Sequence, residues 1–178
     1  MYRRCVEEFE KYNKIDSNYR SKLRKMRCVT KFKKSAIYEE EARRLYEFLR
    51  DNIVWGEGVR SKKGFTRKAA PLRFGDVEEV DVAIVKALSQ LTDKSYTIRF
   101  IYLNYYENGK MWCPNHTHAG THQLVISLGC DRILQVNKKD YLMSSGDAIL
   151  FGSVVHGVPP DESKRGRISI ATFMEFTE

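Results

Sequence analysis

The chain has 178 residues, 42% hydrophobic and 30% charged, with four prolines and a net charge of +8. That length and balance predict one globular domain with a sizeable core and exclude a disordered chain. No run approaches the roughly 20 apolar residues of a membrane span, and the opening MYRRCVEEFEKYNK lacks the apolar stretch of a secretory signal.

An intracellular protein of cytoplasm or nucleus, not secreted and without a membrane partner, is therefore expected. Cys5, Cys28, Cys113 and Cys130 form no C-x-x-C pair and no disulfide-like spacing, so reduced thiols are the default. Cys113, three residues before His116, is a conceivable ligand, but a buried thiol is the favoured reading.

The charge is uneven. Up to Lys34 the chain carries twelve Lys/Arg against four Asp/Glu; from Ser35 onward the numbers are nineteen and nineteen. Residues 1–34 are thus read as a basic arm or helix, interleaved with Tyr2, Phe9, Tyr12 and Tyr19, and 35–178 as a single domain with no repeat. Ser35 is a plausible N-cap for a helix carrying Tyr38, Ala42, Leu45 and Leu49 on one face and ending near Asn52.

Residues 53–75 lack a period and read as a long basic loop, with room for short strands; loops of that length are often functional. Its cations, Arg60, Lys62, Lys63, Arg67, Lys68 and Arg73, are candidate nucleic-acid contacts, because clustered positive charge attracts phosphate backbones. A solvated basic face is the bland alternative. Asp76 then caps a second helix with an apolar face from Val80 to Leu91.

After Lys94 the texture becomes β. Strands are expected at Thr97–Tyr106, Gln123–Leu128, Arg132–Val136, Asp147–Phe151 and Arg167–Phe176, separated by turn residues. Two helices followed by a run of strands predict an α+β fold, with helices packed outside an antiparallel barrel or sandwich.

All four histidines fall between positions 116 and 156. Residues i and i+2 of an extended segment share a face, so His116 and His118 can offer two nitrogens to one ion, and a turn after Phe151 can return His156 to complete a facial triad. A zinc site of three His plus water, generating hydroxide, is a further chemistry for the same set.

These residues resemble the AlkB-type Fe(II)/2-oxoglutarate dioxygenases. Asn104-Tyr105-Tyr106, Gly109 and His116 are similar to that family's N-x-Y…G…H-x-D block, and Pro71–Asp76 to the segment before its first core helix. Ile126-Ser127-Leu128-Gly129 resembles its S-L-G strand, Gly146–Phe151 leading to His156-Gly157 its second His block, and Arg167–Phe173 its closing strand. Five motifs in the right order span about residues 53–176.

The resemblance implies a double-stranded β-helix (a jelly-roll, cupin-like barrel) with supporting N-terminal helices. It implies iron on His116, His118 and His156, and the distal carboxylate of 2-oxoglutarate on Arg167 assisted by Asn104 and Tyr106, with O2 as co-reactant. Oxidative dealkylation of N-alkylated nucleobases in DNA or RNA by a monomeric enzyme is then the expected activity, with the 56–73 loop as a lid over a flipped base.

Two departures qualify it. His118 replaces the family's carboxylate ligand, and Phe173 or Met174 stands where its last arginine falls. His122 would sit near the mouth, with packing its leading role and substrate contact or a spare ligand the alternatives.

Two other readings stand beside this one. The stretch from Gly109 to Gly129 is similar to the first cupin motif, which would place Fe, Mn, Ni or Zn on the histidines without 2-oxoglutarate. A degenerate AlkB-like protein that binds nucleic acid without turnover is the non-enzymatic alternative.

Overall fold

The computed structural model describes residues 30–57, 60–61 and 64–177, with 60–61 and 64–65 described in backbone alone. Most of the basic arm, and Lys62 and Lys63, lie outside the described residues.

The chain begins with an edge strand, β1 (Lys31–Lys33), then helix α1 (Glu39–Asn52) and a short hairpin, β2 (Arg60–Ser61) with β3 (Gly64–Phe65). After β4 (Lys68–Leu72) comes helix α2 (Glu78–Leu91), then eight strands: β5 (Tyr96–Tyr106), β6 (Cys113–His116), β7 (His122–Gly129), β8 (Arg132–Val136), β9 (Lys139–Met143), β10 (Ala148–Phe151), β11 (His156–Val158) and β12 (Arg167–Phe176). The major sheet runs β1-β10-β7-β12-β5-β4 and the minor sheet β6-β11-β8-β9, with antiparallel pairing throughout. This is the expected α+β arrangement, a jelly roll with helices on one face. Neither helix is long and apolar enough to cross a membrane.

Strict alternation in the central strands makes two cores from one sheet. Leu103 and Tyr105 of β5, Leu124, Ile126 and Leu128 of β7, and Ile168 and Ile170 of β12 pack towards Leu45, Leu49, Ile84 and Leu88 of the helices. The intervening residues, among them Tyr106, Val125, Ala171 and Phe173, face the other way and meet Leu134 and Val158 of the minor sheet. The first core anchors the helices; the second leaves the interior that holds the site.

Local details differ from expectation. Ser35 does not cap α1. It has φ 49° and gives its backbone N–H to Asp147 Oδ1 (2.9 Å), while Tyr38 is the cap residue and is itself 71% exposed. The positive φ turns the chain from β1 into the helix, and the Asp147 carboxylate fixes that turn, also accepting Ser144 N–H (2.9 Å).

Asp76 is likewise not the cap of α2. It closes the preceding turn by accepting Arg73 N–H (2.7 Å), and Asp81 from the first turn accepts Gly75 N–H (2.7 Å). The basic loop contains β4, because Ala69 and Ala70 are small and buried enough to pair as the edge of β5. Lys31–Lys33, expected within the arm, instead pair with β10. Strands β6 and β11 are too short to show a period, and β9 is mostly exposed, with a single buried residue.

Candidate metal and cosubstrate site

Strands β6 and β11 lie antiparallel with His116 opposite His156, so two imidazoles meet across a ladder (ring centroids 4.4 Å). Their approach depends on Gly157. A Cβ there would lie 2.4 Å from Asn115 Oδ1 and 2.9 Å from the Cys113 carbonyl. His118 lies two residues past the end of β6 and packs edge-on against Phe173 of β12 (4.8 Å). One ligand atom from each of His116, His118 and His156 falls within 4.8 Å of the others. The sequence-predicted triad is thus assembled in space.

Backbone carbonyls orient two of the rings. His116 donates Nδ1–H to the Pro114 carbonyl (2.7 Å) and His156 donates Nδ1–H to Val154 (2.9 Å). A carbonyl can only accept, so the tautomer is fixed and each Nε2 is left to act as a ligand. The Nε2 atoms of His116 and His118 lie 2.9 Å apart.

Burial, then the neighbouring His116 and His156, push His118 down to about 3; burial and His116 push His156 down to about 4. Both are neutral at physiological pH, the form that binds metal. Burial also pulls His116 down, but the Cys113 thiol beside it (Sγ to Nδ1 3.7 Å) and the Pro114 carbonyl outweigh burial and leave it raised. Cys113 is lowered in turn: burial raises it, and the contacts with His116 and Arg67 prevail.

The three imidazoles open onto a cavity of about 210 Å³ whose floor is the inward face of the major sheet. The register sets that floor in rows: Tyr106 beside Arg167, Asn104 beside Ser169 and Ser127, Tyr102 beside Ala171 and Val125, and Phe100 beside Phe173 and Gln123. The histidines sit over the Phe173 end. Arg167 stands at the other end, fully buried, its Nε donating to Ser127 Oγ (2.8 Å) and its guanidinium 5.3 Å from the Tyr106 ring centroid. Its Nη1 and Nη2 have no hydrogen-bond partner among the described residues. A buried guanidinium with two unpaired nitrogens lacks an anion.

Tyr106, pushed up to about 12 by burial and the nearby thiol, is a neutral phenol. Asn104 is engaged on two sides. Its Oδ1 accepts from Arg67 Nε (2.6 Å), and its Nδ2 reaches Ser169 Oγ (3.4 Å).

Of the remaining candidates whose side chains are described, Arg67 lines the cavity and the others do not. Lys68 is paired with Glu107 (3.0 Å) at the surface, and Arg73 is exposed on the turn before α2. The backbone of Arg60 lies in the β2–β3 hairpin. His122 belongs to the helix-side face of β7, packs against the Phe176 ring (4.4 Å) and is lowered by burial, then by Lys94. It is not among the residues that line the cavity.

Sequence reasoning missed Gln123, whose buried Oε1 is unpaired at the cavity wall, and Arg132, whose buried guanidinium donates to the Met111 and Pro159 carbonyls (2.9 and 2.8 Å) behind Tyr106. The period-two alternation of β7 and β8 carried the signal: Gln123 stands in phase with Val125 and Ser127, and Arg132 with Leu134 and Val136.

No protein-family model matches the chain, and no curated protein matches it. Solved structures do. A prolyl-4-hydroxylase from Pseudomonas putida superposes with a TM-score of 0.60 at 14% identity, over 89% of this chain and 98% of that one. SnoN, a non-heme alpha-ketoglutarate-dependent epimerase from nogalamycin biosynthesis, gives 0.63 at 13% identity, over 90% and 83%. HygX from Streptomyces hygroscopicus, with nickel and 2-oxoglutarate bound, gives 0.63 at 8% identity, over 90% and 87%. The chain has the jelly-roll fold of the 2-oxoglutarate-Fe(II) oxygenases.

Proposed function

We propose that the protein is an Fe(II)/2-oxoglutarate-dependent oxygenase. The observation that carries the reading is Arg167: a fully buried cation with two unpaired Nη atoms, in the same cavity as three convergent imidazoles. A metal-only cupin site has no use for that arginine, whereas a guanidinium fork matches a terminal carboxylate. His116, His118 and His156 would hold the ion, and Arg167 with Ser127 and Tyr106 the distal carboxylate. When bound, the iron would activate O2, the oxidant, for C–H hydroxylation, with 2-oxoglutarate supplying two of the four electrons and substrate the other two. The chain's own residues fix the ligand tautomers, hold the cosubstrate end and keep its surroundings dry.

The AlkB-like part of the expectation, dealkylation of nucleobases, draws less support. Three of its expected contacts, Lys68, Arg73 and His122, do not line the cavity. The solved structures of like fold include a prolyl-4-hydroxylase and an antibiotic-pathway epimerase. The family-wide chemistry carries over better than that one substrate class.

Anaerobic titration with Fe(II) or Mn(II), followed by 2-oxoglutarate, tests the reading. One ion per chain, 2-oxoglutarate binding that depends on the ion, and loss of that binding in Arg167→Gln are expected. Metal binding with no 2-oxoglutarate affinity would return the site to the cupin reading.

A further inference from the structure

The cavity wall carries a second guanidinium. Arg67, half-buried just before β4, gives Nε–H to Asn104 Oδ1 (2.6 Å) and an Nη1 hydrogen to Thr66 Oγ1 (3.2 Å). A guanidinium has five N–H donors, so about three are uncommitted. Several surface cations of the fold have carboxylates: Arg43 and Arg44 on Glu40, Arg50 on Asp51, Lys68 on Glu107 and Arg99 on Glu175. Arg67 has none among the described residues, and neither Asp nor Glu occurs among the described residues of the cavity lining. Its field reaches all three imidazoles.

The charge balance follows from these facts. Neutral imidazoles add nothing to a divalent ion, whereas a carboxylate ligand would cancel one charge. With Arg67 and Arg167 the site holds about four positive charges, and the two carboxylates of 2-oxoglutarate cancel two. A surplus of about two remains, and a surplus of that sign in a buried site calls for an anion.

Resting on the oxygenase reading above, we propose that the prime substrate is an anion, presenting a carboxylate or phosphate to Arg67. Arg67 is then the residue that selects it. A cationic substrate, as bases alkylated at a ring nitrogen of adenine or cytosine are, is opposed by the same surplus.

The test is calorimetric. Mn(II)-loaded protein saturated with 2-oxoglutarate under anaerobic conditions is titrated with methyl phosphate, acetate and neutral acetamide, in wild type and in Arg67→Gln of unchanged melting temperature. Salt-sensitive binding of one or both anions but not acetamide is expected. Arg67→Gln is expected to weaken it about tenfold, the scale of one charge-assisted hydrogen-bond pair, with 2-oxoglutarate affinity within about threefold. The tighter of the two anions identifies the headgroup.

Equal anion affinity in wild type and variant overturns the proposal. So does a variant that loses 2-oxoglutarate instead, which would make Arg67 part of the cosubstrate site. If wild type binds no 2-oxoglutarate, the oxygenase reading fails. The anion site then stands or falls on whether the same titrations without 2-oxoglutarate show Arg67-dependent binding.

Discussion

The Nε2 atoms of His116 and His118 lie 2.9 Å apart, while the Nδ1 of His116 already donates to Pro114. At that separation a proton lies between them: neutral His118 donates Nε2–H to His116, and below the raised pKa of His116 the proton belongs to His116 instead, because His118 is the depressed member. Metal uptake must expel it. Affinity for Mn(II) is expected to rise up to tenfold per pH unit below the His116 pKa and to level above it. Titration in two buffers of different ionisation heat should reveal up to one proton released per ion below that pKa, falling towards none above it.

The same groups give the metal-free protein a stability optimum. His118 and His156 are depressed, to about 3 and about 4, so between there and their ordinary value the unfolded chain binds more protons than the folded one. Their contribution is complete above about pH 6.5 and lost as pH falls towards 4 and 3. His116 is raised, so its contribution is complete below about pH 6.5 and lost as pH climbs through its folded value. Melting temperature without metal should therefore peak near pH 6.5 and fall steeply on the acid side. His118→Ala should flatten the acid limb.

Arg167 exposes a cost of function. Two nitrogens of its buried guanidinium have no partner among the described residues. Arg167→Met, similar in length and apolar, is expected to raise the stability of the cosubstrate-free protein by ~1–4 kcal/mol and to abolish the rise in melting temperature that 2-oxoglutarate produces. Denaturant titration with and without 2-oxoglutarate measures both. A variant destabilised without ligand would mean that the Ser127 bond and the Tyr106 contact outweigh the buried charge.

His118 can be returned to a carboxylate. Aspartate suits a hard divalent ion better than imidazole does and removes one unit of surplus charge. His118→Asp should bind Mn(II) more tightly, and His118→Ala more weakly, by about tenfold or more in each direction. Equilibrium dialysis against Mn(II) distinguishes the three proteins.

Gly157 is where ladder geometry and chemistry touch. Gly157→Ala places a methyl group against the Cys113 carbonyl and the Asn115 side chain, so β6 must move away from β11. The major sheet is not involved. Metal affinity should fall at least about tenfold, as supporting contacts of metal ligands typically do, while far-UV circular dichroism stays unchanged.

Much of this was legible in the sequence because long strands and helices carry their period openly. β5, β7 and β12 alternate over eight to eleven residues, and both helices show an apolar stripe, so the α+β barrel could be read directly. The spacing of His116 and His118 contained their shared direction. The turn after Phe151 offered a return for His156, but Arg167 could be placed only through the resemblance, since its position depends on register between strands far apart in the chain. Illegible were the cap of α1, where a distant carboxylate on Asp147 captures Ser35, and the sorting of the basic loop. There Arg67 and Lys68 are adjacent in sequence, yet one enters the cavity and the other pairs with Glu107 on the surface.

Strand β12 lies between β5 and β7 with both faces covered. Its odd residues from Arg167 to Phe173 meet the cavity and its even ones the helices. One stretch of chain thus serves two masters, and a frame slip of a single residue would send isoleucines into the cavity and a guanidinium under the helices. Insertions or deletions here are lethal to chemistry and fold together, so diversification of the protein must proceed through loops and single replacements. A new specificity can come from the loop that carries Arg67 while β12 stays fixed.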